Sequence, residues 1–131
     1  MDIDENVIVH LENIKKKYGL ENQTIVKSDL FSNLLDEKFD VIVFNPPYVP
    51  SEEVEILSTD GGEDGSEIIL RFIPQLPHFL KEDGVCYLLV SSHNNLDEIY
   101  YELTYNNLVF EKVLEKNIFF ENLIVLKISD Q

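Results

Sequence analysis

The sequence is poor in cysteine and histidine, and each shortage excludes a kind of structure. Cys86 is the single cysteine among 131 residues, so no disulfide can form within the chain. It stands inside an apolar run, which favours a buried core residue over a reactive thiol. The three histidines, His10, His78 and His93, lack the spacing of metal ligands, so no metal site is predicted.

Basic residues and long apolar runs are also scarce. Ten Lys and Arg stand against 25 Asp and Glu, which gives a formal net charge of −15. Such a surface repels phosphate, so nucleic acid is not expected as a partner. No run approaches the roughly 18 apolar residues of a membrane span, and the acidic N-terminus is unlike a signal peptide. We therefore expect a cytoplasmic protein that binds no membrane.

What the chain does contain is enough apolar sequence for a core. Hydrophobic residues make up 44 % of it, and its length predicts a single domain over residues 1–131. Periodicity and turn signals predict three helices, at Asp4 to Tyr18, Ser66 to Leu80 (broken by its prolines) and Asn95 to Tyr105. They predict five strands, at Thr24 to Lys27, Phe39 to Phe44, Gly84 to Ser91, Leu108 to Lys116 and Asn122 to Ile128.

The order of these elements predicts the fold class. Helices that alternate with apolar strands are typical of an α/β sheet, mainly parallel, with helices on both faces. The last two strands are joined by a short connection around Phe119 and Phe120, which predicts a closing antiparallel hairpin. The strand Phe39 to Phe44 is almost wholly apolar, as expected of a strand covered on both faces. Ligands in such sheets bind beyond the carboxyl ends of the strands, where the long loop Asn45 to Gly65 emerges.

That loop begins with Asn45-Pro46-Pro47-Tyr48, a set of groups suited to a planar nitrogen. An amide or aromatic amino nitrogen is a poor nucleophile because its lone pair is delocalised. The side-chain carbonyl of Asn45 and the backbone carbonyl of Pro46 can accept both N–H bonds of such a group. Pro47 restricts the backbone before it, and Tyr48 offers a flat face for stacking. The alternative is a rigid turn with an aromatic anchor.

With these motifs, the chain resembles the class I, S-adenosylmethionine-dependent methyltransferases of the HemK-like family. It is most similar to the eukaryotic and archaeal branch that methylates the glutamine of class 1 translation release factors. The resemblance is carried by residues 45–50, 61–65, 84–88 and 121–126. It implies a Rossmann-like fold and N-methylation of a protein glutamine amide in a Gly-Gly-Gln sequence. It also implies a catalytic role for Asn45, Pro46 and Tyr48, and substrate binding by these residues and Pro47.

The same resemblance implies S-adenosylmethionine as cofactor. Asp2, with Ile3, matches the acidic position that holds the ribose hydroxyls, and Asp4 is a weaker candidate. Asp29 and Leu30 match the positions near the adenine, and Asn45 borders the methyl donor. Each aspartate has an alternative reading. Asp2 is equally well a solvated charge near a helix end, and Asp29 an N-cap for a short turn.

The family's first strand and the glycine-rich loop after it have no counterpart in these 131 residues. We therefore expect that the sequence is a piece of a longer enzyme, with a non-catalytic homologue acting as a binding module as the other explanation. Methylation of adenine N6 or of a small molecule is a further alternative. The resemblance also implies a small zinc-binding activator subunit, which would pair along the edge Gln23 to Lys27.

Overall fold

The structure, a computed structural model, describes residues 1–34, 36–46 and 65–131. It divides into two compact units, Met1–Asp36 and Glu37–Gln131. The predicted loop Asn45 to Gly65 therefore lies for the most part outside the described residues. The single domain over 1–131 stays a prediction.

Helix α1, Glu5–Tyr18, is the main element of the first unit. Asp4 is its N-cap, because its side chain accepts a hydrogen bond from the backbone N–H of Asn6 at 2.8 Å. Gly19 ends the helix in the left-handed region, with φ of 62° and its N–H bonded to the Lys15 carbonyl. The helix is as predicted.

The predicted strand Thr24 to Lys27 is wrong as a strand. The segment forms an isolated parallel bridge, between Lys27 and Asp2, with hydrogen bonds from Asp2 N–H to the Val26 carbonyl and from Ser28 N–H to the Asp2 carbonyl. A ladder needs consecutive residues on both segments. On the Asp2 side that is prevented because the chain enters the cap of α1 at Asp4.

The second unit contains a four-stranded mixed sheet. Its strands are β1 Phe39–Phe44, β2 Leu80–Ser91, β3 Leu108–Ile118 and β4 Glu121–Asp130, in the order β1-β2-β4-β3. β1 and β2 pair in parallel, and β4 pairs antiparallel with both β2 and β3. Three of the four strands thus run in one direction. The predicted α/β class, with a mainly parallel sheet and a closing antiparallel hairpin, is confirmed.

The helices of this unit fall where they were expected, and prolines break the first of them. α2 Glu67–Phe72 passes through a 3₁₀ turn, Ile73–Gln75, into α3 Leu76–Phe79. Pro74 and Pro77 lie at the starts of the latter two segments, where a missing N–H does least harm. α4, Leu96–Tyr105, is capped by Asn95, whose side chain accepts from the Glu98 N–H. In the described part of the chain, no helix combines the length and apolarity needed to span a membrane.

One face of the sheet carries the core. Alternate residues of β2 and β4 are buried in register, as with Leu88 opposite Leu126, and β1 adds Phe44, whose ring lies 4.5 Å from that of Phe72 on α2. On the opposite face, Val43 of β1 is 74 % exposed. The expectation that β1 is covered on both faces is therefore wrong for the described residues. The exposure of a face depends on what packs over it, and Val41, on the same face of β1, is 54 % exposed as well, so the described residues leave this face largely uncovered.

Candidate functional site

Asn45 and Pro46 leave β1 at the carboxyl edge of the sheet. Phe44, the last residue of β1, pairs with Leu88, three residues before β2 ends at Ser91. Asn45 is exposed, whereas Pro46 is fully buried. The buried ring fixes the backbone directly after Asn45, so that side chain projects from a rigid base. Pro47 and Tyr48, the other predicted members of the motif, lie outside the described residues.

The long loop returns to the same edge at Gly65 and Ser66. Both residues are buried, and the Ser66 hydroxyl accepts a hydrogen bond of 3.0 Å from the backbone N–H of Asn95. Asn95 is the N-cap of α4, which begins just beyond β2. Both described ends of the loop are thus fixed at the carboxyl edge, where an α/β sheet binds its ligands.

Ser91 forms the centre of a polar cluster at this edge. It is fully buried, its hydroxyl donates to the Glu121 carboxylate at 2.7 Å, and it accepts from the His93 N–H at 3.1 Å. Its own N–H donates to the Asn94 side chain at 2.9 Å. The His93 ring nitrogen Nε2 lies 3.8 Å from the same Glu121 oxygen. The cluster ties the end of β2 to the start of β4.

Local sequence patterns indicate no functional role for Ser66, Ser91 or Glu121. Ser91 reads only as the last residue of a strand, and its partner lies 30 residues away along the chain. Ser66 and Asn95 are 29 residues apart. Local periodicity carries no signal for such pairs, because they depend on which strand ends the fold brings together.

Four of the predicted cofactor residues, Asp2, Ile3, Asp29 and Leu30, lie in the first unit. The parallel bridge between Asp2 and Lys27 brings both stretches to one end of two adjacent extended segments. The Asp2 carboxylate accepts from the Asp4 N–H at 2.9 Å, so one of its oxygens supports the turn into α1. Asn45, the fifth residue of the set, belongs to the second unit.

These residues fit the adenosine part of S-adenosylmethionine by their chemistry. Aspartate carboxylates accept hydrogen bonds from ribose hydroxyls, and Asp2 keeps a second oxygen beyond the one bonded to Asp4. Ile3 is partly exposed and gives an apolar surface for a base. Leu30 is 9 % exposed and adopts a φ of 54°, with its carbonyl held by the Ser28 hydroxyl at 2.7 Å. The backbone after Lys27 is therefore fixed in a tight turn.

The cavity found in the first unit lies away from these residues. It measures about 240 Å³ and is lined by Glu12, Lys15, Lys16, Gly19, Leu20 and Glu21. Its walls are the end of α1 and the turn that follows. No predicted site residue takes part in it, and its rim of ordinary helix-end charges does not indicate a ligand.

Cys86 is a core residue, as the sequence indicated. It is fully buried in the middle of β2, and burial raises the pKa of its thiol to about 12 because the thiolate would be desolvated. A thiol in this state is neither a nucleophile nor a metal ligand at neutral pH.

An α/β sheet of this mixed topology, with an asparagine directly after the carboxyl end of β1, is similar to the sheets of class I methyltransferases. Residues 1–119 match the model of the methyltransferase small domain family. The chain belongs to this family, and the HemK-like resemblance is confirmed by its relatives.

Named relatives of the chain are protein glutamine methyltransferases or HemK-like proteins. A protein of Methanocaldococcus jannaschii, provisionally named a protein N5-glutamine methyltransferase, is 46 % identical over 90 residues, which is 64 % of this chain and 45 % of that protein. Human methyltransferase HEMK2 is 36 % identical over 113 residues, 79 % of this chain and 53 % of the relative. The eRF1 methyltransferase catalytic subunit mtq2 of Schizosaccharomyces pombe is 32 % identical, with 80 % of this chain and 49 % of the relative covered.

Solved methyltransferase structures also share the fold of this chain. The structure of the E. cuniculi Mtq2–Trm112 complex matches with a TM-score of 0.70 and 28 % identity, over 91 % of this chain and 68 % of that chain. A ribosomal protein L11 methylase from Lactobacillus delbrueckii matches with a TM-score of 0.68 and 26 % identity, over 99 % of this chain and 55 % of that one. The chain spans about half the length of the curated relatives it matches.

Proposed function

We propose that this chain is part of a cytoplasmic, S-adenosylmethionine-dependent methyltransferase that acts on a protein glutamine amide, in the Gly-Gly-Gln sequence of a class 1 release factor. The observation that carries the proposal is Asn45 on its buried Pro46 base at the carboxyl end of β1. The names of the relatives support the acceptor, since they include a protein N5-glutamine methyltransferase and an eRF1 methyltransferase.

The site residues would act by orienting the glutamine amide. The Asn45 side-chain oxygen and the Pro46 carbonyl accept its two N–H bonds, which fixes the plane of the nitrogen and raises its electron density. Tyr48 would offer the flat face on which the amide can stack. S-adenosylmethionine, when bound, supplies the methyl group from its sulfonium. The glutamine nitrogen would lose one proton to water after transfer, so no residue of this chain is required as a base beforehand.

Asp2, Ile3, Asp29 and Leu30 would hold the adenosine part of the cofactor. The carboxylates accept from the ribose hydroxyls and the adenine amino group, and the apolar side chains contact the base. Asn45 is the fifth residue proposed to contact the cofactor.

The acidic surface supports a protein acceptor. A net charge of −15 repels nucleic acid and attracts a basic polypeptide segment. This charge is the reason to prefer a glutamine amide over adenine N6 as the acceptor, because both are planar nitrogens that the same two carbonyls can hold.

The activator subunit belongs to the same proposal. The Mtq2 structure that resembles this chain is a complex with Trm112. A corresponding small subunit would pair with the extended segment Gln23 to Lys27, whose other side already binds Asp2. The Lys27 carbonyl accepts from the Asn33 side chain at 2.7 Å, so we expect pairing to be centred on Thr24 to Val26.

The experiment is methyl transfer from labelled S-adenosylmethionine by the whole enzyme of which this chain is proposed to be part, with and without the activator subunit. The acceptors are a release factor, the same factor with its Gly-Gly-Gln glutamine replaced by alanine, and duplex and single-stranded DNA and RNA containing adenine. We expect label in the intact release factor and none in the alanine form. Label in nucleic acid, or equal label in both forms of the factor, would contradict the proposal.

A further inference from the structure

The tip of the hairpin between β3 and β4 exposes two adjacent aromatic rings. Phe119 and Phe120 form the connection, and they are 92 % and 97 % exposed. Burying one such side chain is worth about 1.5–3 kcal/mol, so leaving two of them in water is unfavourable unless a partner covers them. Polar turn residues would serve the hairpin equally well. The tip therefore has the composition of a contact surface.

The backbone conformation of the tip also indicates a contact surface. Phe119 has a φ of 54°, in the left-handed region that Gly and Asn adopt easily and a phenylalanine does not. A bulky aromatic residue at this position gives up stability that asparagine would retain. Strain of this kind is found where a side chain has a role beyond folding.

The tip lies at the same edge of the sheet as Asn45. Ser91 at the end of β2 pairs with Leu123 near the start of β4, and β1 is parallel to β2. The carboxyl ends of β1 and β2 and the tip of the hairpin therefore share one edge. With about 4.8 Å between neighbouring strands, the hairpin stands roughly 10–15 Å from β1. An extended polypeptide at about 3.3 Å per residue covers that distance with roughly three to five residues.

The base of the tip is fixed. Glu121, the first residue of β4, pairs with Ile118 and accepts the Ser91 hydroxyl hydrogen bond at 2.7 Å. The Asn117 and Asn122 side chains are bonded to each other across the hairpin at 2.8 Å. The two rings therefore stand on a rigid support, which lowers the entropic loss on binding.

The charges around the tip define the occupant. Described acidic side chains at this edge are Asp97, Glu98 and Glu121, with His93 and Lys116 beside them, on a chain of net charge −15. Apolar rings within an acidic field suit a polypeptide that carries basic residues together with an apolar side chain or pocket.

We propose that Phe119 and Phe120 form a docking surface for the methyl-accepting protein. They bind a segment of that protein that carries basic residues and an apolar side chain or pocket, and that lies a few residues or more from the acceptor glutamine. The inference rests on the proposed function for the identity of that protein. It adds a second point of contact at the same edge as Asn45, which would align the acceptor before transfer.

The test compares the double variant Phe119→Asn/Phe120→Gln with the wild type. Binding of the release factor is measured directly by calorimetry, and methyl transfer is measured on the release factor and on a peptide truncated two residues either side of the glutamine. We expect at least a tenfold loss of affinity and a tenfold higher KM for the whole factor, with the rate on the short peptide unchanged. We also expect binding to the wild type to weaken as salt is raised.

Tyr101→Gln/Tyr105→Gln is the matched control. These stacked tyrosines are 66 % and 71 % exposed, but they lie in the part of α4 that runs away from the carboxyl edge. The control pair should bind and methylate like the wild type. The tip variant should melt at the same temperature as the wild type or higher, which excludes misfolding as the cause of lost binding.

The outcomes separate this inference from the proposed function. If the wild type methylates the release factor and the tip variant binds that factor as tightly as the wild type does, the proposed docking surface is contradicted and the proposed function is supported. If the tip variant instead abolishes concentration-dependent dimerisation in light scattering, the occupant is a second copy of this chain and the inference is overturned. If the wild type neither binds nor methylates any glutamine-containing acceptor, the proposed function fails and the docking surface fails with it.

Discussion

The Ser91 hydroxyl donates a hydrogen bond of 2.7 Å to the Glu121 carboxylate, and this contact joins the end of β2 to the start of β4. Ser91→Ala removes the donor to Glu121 and the acceptor of the His93 N–H at a fully buried position. We expect a loss of about 2–3 kcal/mol in the free energy of unfolding, measured by urea denaturation.

Ser92→Ala is the control for that measurement. The Ser92 hydroxyl accepts from the Asn122 N–H at 2.9 Å, but at an exposed site where water can replace it. Ser92→Ala should lower the free energy of unfolding by about 0.5 kcal/mol. Equal losses for the two serines would show that the buried contact between Ser91 and Glu121 has no special weight.

Phe119→Asn should stabilise the protein. Its φ of 54° is unfavourable for phenylalanine by about 1 kcal/mol relative to asparagine, which adopts this region readily. A gain of that size corresponds to a melting temperature higher by about 3–6 °C in a chain of this length. Phe120→Asn removes an equally exposed ring without relieving a positive φ and should leave the melting temperature unchanged. A lower melting temperature for Phe119→Asn would mean that the ring stabilises the hairpin.

Gly84→Ala should destabilise the sheet. A Cβ at this position would stand 2.9 Å from the Phe39 carbonyl oxygen and 3.0 Å from that of Lys81, and backbone atoms cannot move aside easily. We expect a loss of about 2–3 kcal/mol, from urea denaturation. Gly19→Ala is the comparison, because its φ is 62° and the space around it is open. Gly19→Ala should lower the free energy of unfolding by about 1 kcal/mol, from backbone strain alone.

The raised pKa of Cys86 makes stability depend on alkaline pH. The thiol has a pKa of about 12 in the folded protein and about 8.5 in an unfolded chain, so the unfolded state loses its proton first. The buried neutral thiol's contribution to the free energy of unfolding is fully present below about pH 8.5. It is lost at up to about 1.4 kcal/mol per pH unit as the pH rises towards 12. Cys86→Ala lacks this term, so the difference in free energy of unfolding between the two proteins should shrink from pH 8 to pH 10. A difference in the free energy of unfolding that stays constant from pH 8 to pH 10 would contradict this prediction.

Asn45→Ala should remove methyl transfer while leaving the fold intact. Loss of one preorganised acceptor lowers kcat by roughly 10²- to 10³-fold, and the exposed side chain contributes little to stability. Asn13→Ala, an exposed asparagine on α1, is the matched control and should keep full activity. Single-turnover rates on the release factor provide the measurement. An Asn45→Ala protein that transfers methyl groups at the wild-type rate would show that the amide oxygen has no part in the reaction.

The sequence by itself determined the elements that depend on local signals. The helix α1, the strand β1 and the proline breaks after α2 were predicted from the preferences of neighbouring residues and are confirmed. It also determined the motif at Asn45, since four adjacent residues carry that pattern without help from the fold.

The tertiary structure decided what depends on residues distant in sequence. The segment Thr24 to Lys27 has the composition of a strand, but its ladder stops at one bridge because the chain beside Asp2 turns into α1. β1 is almost wholly apolar, yet the described residues cover one of its faces and leave Val43 on the other face exposed. The contact between Ser91 and Glu121 exists because antiparallel pairing aligns the two strand ends. Local sequence patterns do not contain such alignments, because they arise only when strands far apart along the chain pair.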